Sequence, residues 1–239
     1  LDMVLDLVAE TIAAKPRILG DERDAMSAAP SGLDITLGGI DGTNNGAADL
    51  YTDHTGSILT NGNNSMGLLL QAIGGGGGRV NLAIDAAAGA VFGPIQLALG
   101  GTNGTNETGG AVTRLQAGQV VTTGNLSPGA ILQSIGGGGG SAAVVLTGAN
   151  LPDASVTASL GAQGGSVISA GTVSGDFSGG IHTRGDQSVG LLAQSIGAGG
   201  GEIRSSGASS ISVTLGGADG ASGSGSDVSI SNAGVISTT

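Results

Sequence analysis

Ala130-Ile131-Leu132-Gln133-Ser134-Ile135 runs straight into five glycines, Gly136, Gly137, Gly138, Gly139 and Gly140. The phrase stands earlier as Gly67-Leu68-Leu69-Leu70-Gln71-Ala72-Ile73, followed by Gly74, Gly75, Gly76, Gly77 and Gly78. It returns as Gly190-Leu191-Leu192-Ala193-Gln194-Ser195-Ile196, followed by Gly197, Ala198, Gly199, Gly200 and Gly201. Glycine gives up more backbone freedom on ordering than any other residue, about 0.5–1 kcal/mol against alanine. A run of five therefore opposes folding by a few kcal/mol unless a surface without side chains is required. Its fixed place behind a Leu-rich segment ending in Ile marks it as ordered backbone rather than linker. The expectation is backbone packed on backbone, between sheets or against a neighbouring chain.

Three other markers keep the same order around the runs. Leu-Gly begins at Leu37, Leu99, Leu160 and Leu215. Gly-x-[Ile/Val]-x-Thr begins at Gly56, Gly118, Gly179 and Gly234, at spacings of 62, 61 and 55 residues. Thr-x-Gly-x-x-Ser spans Thr60 to Ser65, Thr122 to Ser127 and Thr183 to Ser188. Self-similarity at a fixed period is the signature of stacked repeats. The chain divides into a partial repeat 1–36, repeats at about 37–98, 99–159 and 160–214, and a partial repeat 215–239. Residues 1–239 read as a single repeat array, and as a piece of something longer. The first copy carries an insertion at about 10–30 that holds Lys15, Arg17, Asp21, Glu22, Arg23 and Asp24. Insertions in repeat proteins map to loops, often on a binding face.

Within a repeat the pattern is strand. Val80, Leu82 and Ile84 alternate with other residues, as do Ile211, Val213 and Leu215. Asn-Gly, Asp-Gly and Gly-Gly pairs supply turns. Leu1, Val4, Leu5, Val8 and Ile12 also fit a helical period ended by Pro16, but the repeat register favours strand for the first eight residues. Hydrophobic residues make up 39% of the chain and aromatics 1%, so its core must be thin rows of aliphatic side chains. The fold expected is an all-β, repetitive β-solenoid, a right-handed parallel β-helix with Gly-rich strands and turns. Coils of about 20 residues would make each repeat three coils, and the chain a rod of roughly a dozen coils near 55 Å long. Alternatively each repeat is one large coil, with the glycine runs stacked as a ladder.

A formal charge of −11 argues against nucleic acid and anionic membrane as partners. With no Cys, the fold uses no disulfide. Leu1 to Ala14 carries Asp2, Asp6 and Glu10, which suits neither a signal peptide nor a membrane span, so no membrane insertion by this segment is expected.

The chemistry-bearing motifs are sparse. The glycine runs lack the Gly-Lys-Ser/Thr of a phosphate loop. Arg184-Gly185-Asp186 is an integrin-type tripeptide, yet it occupies the turn that reads Asn61-Gly62-Asn63 and Thr123-Gly124-Asn125 elsewhere. Asp41, Asp49, Asp219 and Asp227 faintly resemble the acids of calcium-binding solenoid repeats, which makes them weak calcium candidates. His54 and His182 occupy different repeat positions, which gives zinc no pair. No nucleophile–base pair or recurring acid pair stands out. The chain reads as no enzyme, with no catalytic residue and no cofactor beyond that calcium.

Gly-Leu-Leu-Ala-Gln-Ser-Ile-Gly from Gly190, with Gln133-Ser134-Ile135 and Gln71-Ala72-Ile73, carries a resemblance. It resembles the passenger-region repeats of large autotransporter-type (type V secreted) surface adhesins of Gram-negative bacteria. In those, Gln-Ser-Ile-Gly-Gly-Gly-Gly-Gly recurs ahead of an outer-membrane barrel. The resemblance spans the array except the 10–30 insertion. It implies export to the cell surface, a β-solenoid stalk, and adhesion or matrix formation. The expected function is thus a structural, adhesive segment of an extracellular fibre. Its partners would be further repeats or neighbouring copies, with a host or matrix glycan or protein at its surface. The alternative is a glycan- or protein-binding module using the 10–30 insertion or the glycine-run face. A carbohydrate-active solenoid enzyme is the third reading.

Overall fold

The computed structural model describes residues 2–9, 33–37, 46–86, 94–100, 108–148, 155–162, 164, 168–207, 210–217 and 222–239. Among these every regular element is a β-strand, and every strand pairing is parallel. The first turn holds β1 (Asp2–Ala9), β2 (Leu33–Leu37), β3 (Leu50–His54) and β4 (Ile58–Thr60). The second holds β5 (Leu68–Ile73), β6 (Gly77–Ala86), β7 (Ile95–Leu99), β8 (Val112–Gln116) and β9 (Val120–Thr122). The third holds β10 (Ala130–Ile135), β11 (Gly139–Gly148), β12 (Ser155–Leu160), β13 (Ile168–Ser169), β14 (Val173–Phe177) and β15 (Ile181–Thr183). The fourth holds β16 (Leu191–Ile196), β17 (Gly200–Ser206), β18 (Ser210–Leu215), β19 (Gly223–Ser224), β20 (Val228–Asn232) and β21 (Ile236–Thr238).

Equivalent strands of successive turns stack into sheets: β1-β6-β11-β17, β5-β10-β16, β2-β7-β12-β18, β13-β19, β3-β8-β14-β20 and β4-β9-β15-β21. The fold is a β-solenoid in which one sequence repeat makes one turn. Leu37, Leu99, Leu160 and Leu215 form one column of paired residues. The stack of about 20-residue coils is therefore replaced by four rungs, about 19 Å tall at ~4.8 Å per rung. The reason is strand length. Within the third turn the strands run six, ten, six, two, five and three residues, so they cannot cover one another. One repeat away the lengths match, as for β5, β10 and β16 at six residues each. Asp2 pairs with Arg79 and Leu37 with Leu99, so the extra residues of the first copy lie between β1 and β2. The 10–30 insertion itself falls outside the described residues.

Two aliphatic cores run parallel to the stacking axis. One lies between the β6-β11 sheet and the β7-β12 sheet, built from Val80, Leu82, Ile84, Ile95, Leu97 and Leu99 and their counterparts one rung on. The other joins the β5-β10 sheet to the β8-β14 and β9-β15 sheets through Leu70, Ala130, Leu132, Val112, Phe177 and Ile181. Each fully buried Val, Leu or Ile contributes about 1.5–3 kcal/mol, which lets rows of aliphatics replace aromatic bulk.

Two kinds of turn hold the rungs in register. In Thr-x-Gly-x-x-Ser, the threonine Oγ1 donates to the serine carbonyl oxygen: Thr60 to Ser65 at 2.7 Å, Thr122 to Ser127 at 2.6 Å and Thr183 to Ser188 at 2.8 Å. Residues Asn64, Leu126 and Gln187 of these turns are left-handed, with φ of 58°, 57° and 56°. The second kind is the glycine bend. Gly137 to Gly140 all have positive φ, from 80° to 126°. A Cβ on Gly139 would lie 2.0 Å from the carbonyl oxygen of Gly200, and one on Gly140 would lie 1.9 Å from that of Gly78. Adjacent glycines thus press against the rungs on opposite sides, and neither position has room for a methyl group.

Candidate functional site

Among the described strands, the one ahead of the third-turn glycine bend is the most enclosed. All six residues of β10 are buried. Ala130 and Leu132 enter the second aliphatic core. Alternation puts Gln133 on the other face with Ile131 and Ile135. An amide buried there must be paired, because stripping a buried polar group of its partner costs about 1–3 kcal/mol. The repeat pairs it with itself. Gln71 Nε2 donates to Gln133 Oε1 at 2.6 Å, and Gln133 Nε2 donates to Gln194 Oε1 at 2.6 Å. This glutamine ladder has a polarity: an acceptor oxygen points out at β5 and donor hydrogens point out at β16.

Ser134 fastens the opposite face. Its Oγ donates to the Gly110 carbonyl oxygen at 2.7 Å and accepts from the Gly171 N–H at 2.8 Å. Ser195 repeats the device one rung on, donating to Gly171 at 2.8 Å and accepting from the Ser226 N–H at 2.7 Å. At the equivalent place β5 has Ala72, which has no hydroxyl to make this bridge.

The two ends of the stack differ. At the fourth turn Ile211, Val213 and Leu215 stand in register with buried Val156, Ala158 and Leu160, yet are themselves 49%, 40% and 53% exposed. Val228, Ile230, Val235 and Ile236 are exposed on the same rung. At the other end β1, β2, β3 and β4 lie one rung beyond β6, β7, β8 and β9, while β5 is the last strand of its sheet. The step leaves a groove of about 600 Å³ lined by Ala47 to Leu50, Leu69, Gln71, Ala72, Ile73 and Gly76 to Gly78.

Charge enters the interior on the β6-β11-β17 sheet. Glu202 Oε1 lies 3.4 Å from Arg204 Nε. Burial pushes the Glu202 carboxyl above the usual carboxylate range, with Arg204 partly offsetting it. Burial also lowers Arg204, and Glu202 opposes that shift. Arg204 Nη1 donates to the carbonyl oxygen of Leu126 at 3.1 Å, and Arg79 Nη2 donates to that of Asn64 at 3.2 Å. In both, the acceptor belongs to the left-handed residue of the Thr-Ser turn. These arginines tie that turn to the sheet.

The residues singled out from the sequence fall as follows. Asp49 and Asp227 precede β3 and β20, strands three rungs apart in one sheet, so about 14 Å separates their levels. Asp49 Oδ1 instead accepts the Ala111 N–H at 2.8 Å. Asp41 and Asp219 lie outside the described residues. Among the described residues no three His, Cys, Asp or Glu side chains converge. Arg184 and Asp186 are exposed. Asp186 extends a side-chain ladder: the Asn125 N–H donates to Asn63 Oδ1 at 3.0 Å, and the Asp186 N–H donates to Asn125 Oδ1 at 2.9 Å. His54 and His182 sit in different sheets, on β3 and β15. The glutamine ladder was not among the expected sites. Its signal is a Gln between aliphatic residues at period two in all three copies, Leu69-x-Gln71-x-Ile73, Ile131-x-Gln133-x-Ile135 and Leu192-x-Gln194-x-Ile196. In comparisons with protein-family profiles, curated proteins and solved structures, the chain matches none.

Proposed function

We propose that the chain is a structural and adhesive segment of a bacterial cell-surface or extracellular fibre, of the autotransporter-passenger kind, acting as stalk and contact surface. The observation that carries this reading is the stack itself: equivalent strands of successive repeats pair in parallel register, one repeat per turn. Ile211, Val213 and Leu215 repeat the inward pattern of Val156, Ala158 and Leu160 in the rung on which they stack. Such an architecture grows in one direction by repetition, which suits a stalk with an extended contact surface. The repetition also favours length over chemistry, since the recurring polar residues are spent on ladder and turn hydrogen bonds. The Gln-Ser-Ile-Gly motif supports surface export, and the acidic surface suits a soluble extracellular array. Among the described residues no helix is long and apolar enough to cross a membrane.

Electron microscopy of the purified intact protein tests this. Rods or fibres that lengthen with protein concentration or repeat number are expected. Compact particles of fixed size at every concentration would overturn the proposal.

A further inference from the structure

Several inward columns of the stack would accept any turn on any other. Val112, Val173 and Val228 share one column, and Thr122, Thr183 and Thr238 share another. Such self-similarity invites misassembly, in which a turn is skipped or borrowed from another copy. One inward column breaks the pattern. It reads Thr52, Arg114, Gly175 and Ile230 from the first turn to the fourth.

The interfaces along this column are matched in different ways. Arg114 lies on the same face of β8 as Val112 and is 4% exposed. Its Nη1 donates to Thr52 Oγ1 of the first turn at 3.0 Å, and its Nη2 donates to Gln116 Oε1. A guanidinium this enclosed depends on those acceptors. No other turn offers a hydroxyl at the place of Thr52. Between the third and fourth turns the match is steric. A Cβ on Gly175 would lie 2.9 Å from Ile230 Cδ1 and 2.9 Å from Phe177 Cε2. Ile230 and the Phe177 ring therefore use the room that the glycine leaves. Docked on the second turn instead, Ile230 would meet the Arg114 side chain where it now meets none, and overpacking opposes that.

We propose that Thr52, Arg114, Gly175 and Ile230 are specificity-determining residues of the stack, a code that fixes which turn docks on which. Arg114 selects the turn that carries Thr52, and Ile230 selects the turn that carries Gly175. The same code bars the fourth turn of one copy from docking on the second turn of another. A polar side chain set in an apolar core fixes register in coiled coils in the same way, at a cost in stability. The neighbouring sheet follows the rule. Arg204 of the fourth turn reaches the Leu126 carbonyl oxygen of the third at 3.1 Å, and the small Ala143 stands in its own column. The proposal concerns the order of the turns and holds apart from any role as a stalk.

The chain has no Cys, so introduced cysteine pairs report the register. Thr113, Ser174 and Ser229 form one outward column. Thr113→Cys and Ser229→Cys stand two rungs apart, about 9.6 Å. A disulfide spans Cα separations of about 4.4–6.8 Å, so this pair bonds only when the fourth turn docks on the second, within a chain or between chains. Ser174→Cys with Ser229→Cys bonds in the native stack and reports folding. Both reporters are placed in the parent chain, in Arg114→Gly/Gln116→Phe and in Ile230→Ala. The double variant gives the second turn the third turn's residues at both places, and Ile230→Ala removes the selecting side chain. After refolding in a thiol–disulfide buffer, peptide mass spectrometry counts the 113–229 bond. At least tenfold more of it than in the parent is expected in each variant that forms the 174–229 bond. Should the double variant not form the 174–229 bond, Ile230→Ala decides. A parental yield of the 113–229 bond in either folded variant would overturn the proposal.

Discussion

Gln71 donates a side-chain N–H to the side-chain oxygen Oε1 of Gln133 across 2.6 Å, from one rung to the next. Gln133 passes the pattern on to Gln194, so it is the one member of the three with a partner on both sides. Gln133→Leu keeps the volume but strips Gln71 of its acceptor and Gln194 of its donor. The expected loss is about 2–4 kcal/mol, read from urea unfolding, because two amides at once lose a partner. Changing all three glutamines to leucine should recover much of that loss, since no amide is then left unpaired.

A rung's place in the stack decides what a glycine tolerates. Gly118 and Gly56 are equivalent positions one turn apart. A Cβ on Gly118 would lie 2.1 Å from the carbonyl oxygen of Gly56, a backbone atom with no freedom to move aside. Among the described residues, a Cβ on Gly56 would meet just the His54 ring, at 3.0 Å. Gly118→Ala should therefore lose about 1–3 kcal/mol, as overpacking does, while Gly56→Ala should stay within about 0.5 kcal/mol. Similar thermal midpoints for the two variants would contradict this account of the glycine columns.

Glu202 gives a pH signature. Its folded-state pKa is shifted upward by burial, so in the window above the ordinary carboxylate value the folded chain holds more protons at this site than the unfolded chain. Stability from this group is therefore fully present below the unfolded value and is lost as pH rises through the folded one. Relative to Glu202→Gln, the parent protein should gain stability as pH falls from 7 toward 4.5. Denaturant titrations of both proteins across that range measure the difference. A gap that is flat or widens the other way would assign the dominant role to the Arg204 ion pair.

The sequence carries the column structure well, because matching residues one period apart are the residues that pair. Leu160 and Leu215 are an example: they serve as markers in the text of the chain and as neighbours in space. The strand reading of the first eight residues holds for the same reason, since β1, at Asp2–Ala9, aligns with Arg79–Ala86 rather than following its own helical spacing. The number of residues per turn was not legible. Alternating apolar residues and glycine turns look the same whether a short coil closes every 20 residues or a large one closes every 62. Only the unequal strand lengths decide it, and those depend on where each strand ends. The buried Glu202–Arg204 pair was also hidden. Its outward-alternating position reads as solvated surface until the Leu126 turn is seen folded over it.

One repeat per turn has a mechanical consequence. The rungs lie across the stacking axis, so a pull along that axis opens the ladder one rung at a time rather than shearing many hydrogen bonds together. Each rung contributes ~4.8 Å of height while folded. Once peeled away, its 61–62 residues extend to about 200 Å, at ~3.3 Å per residue. A short, broad stack thus stores roughly forty times its own height as slack, released in discrete steps under load.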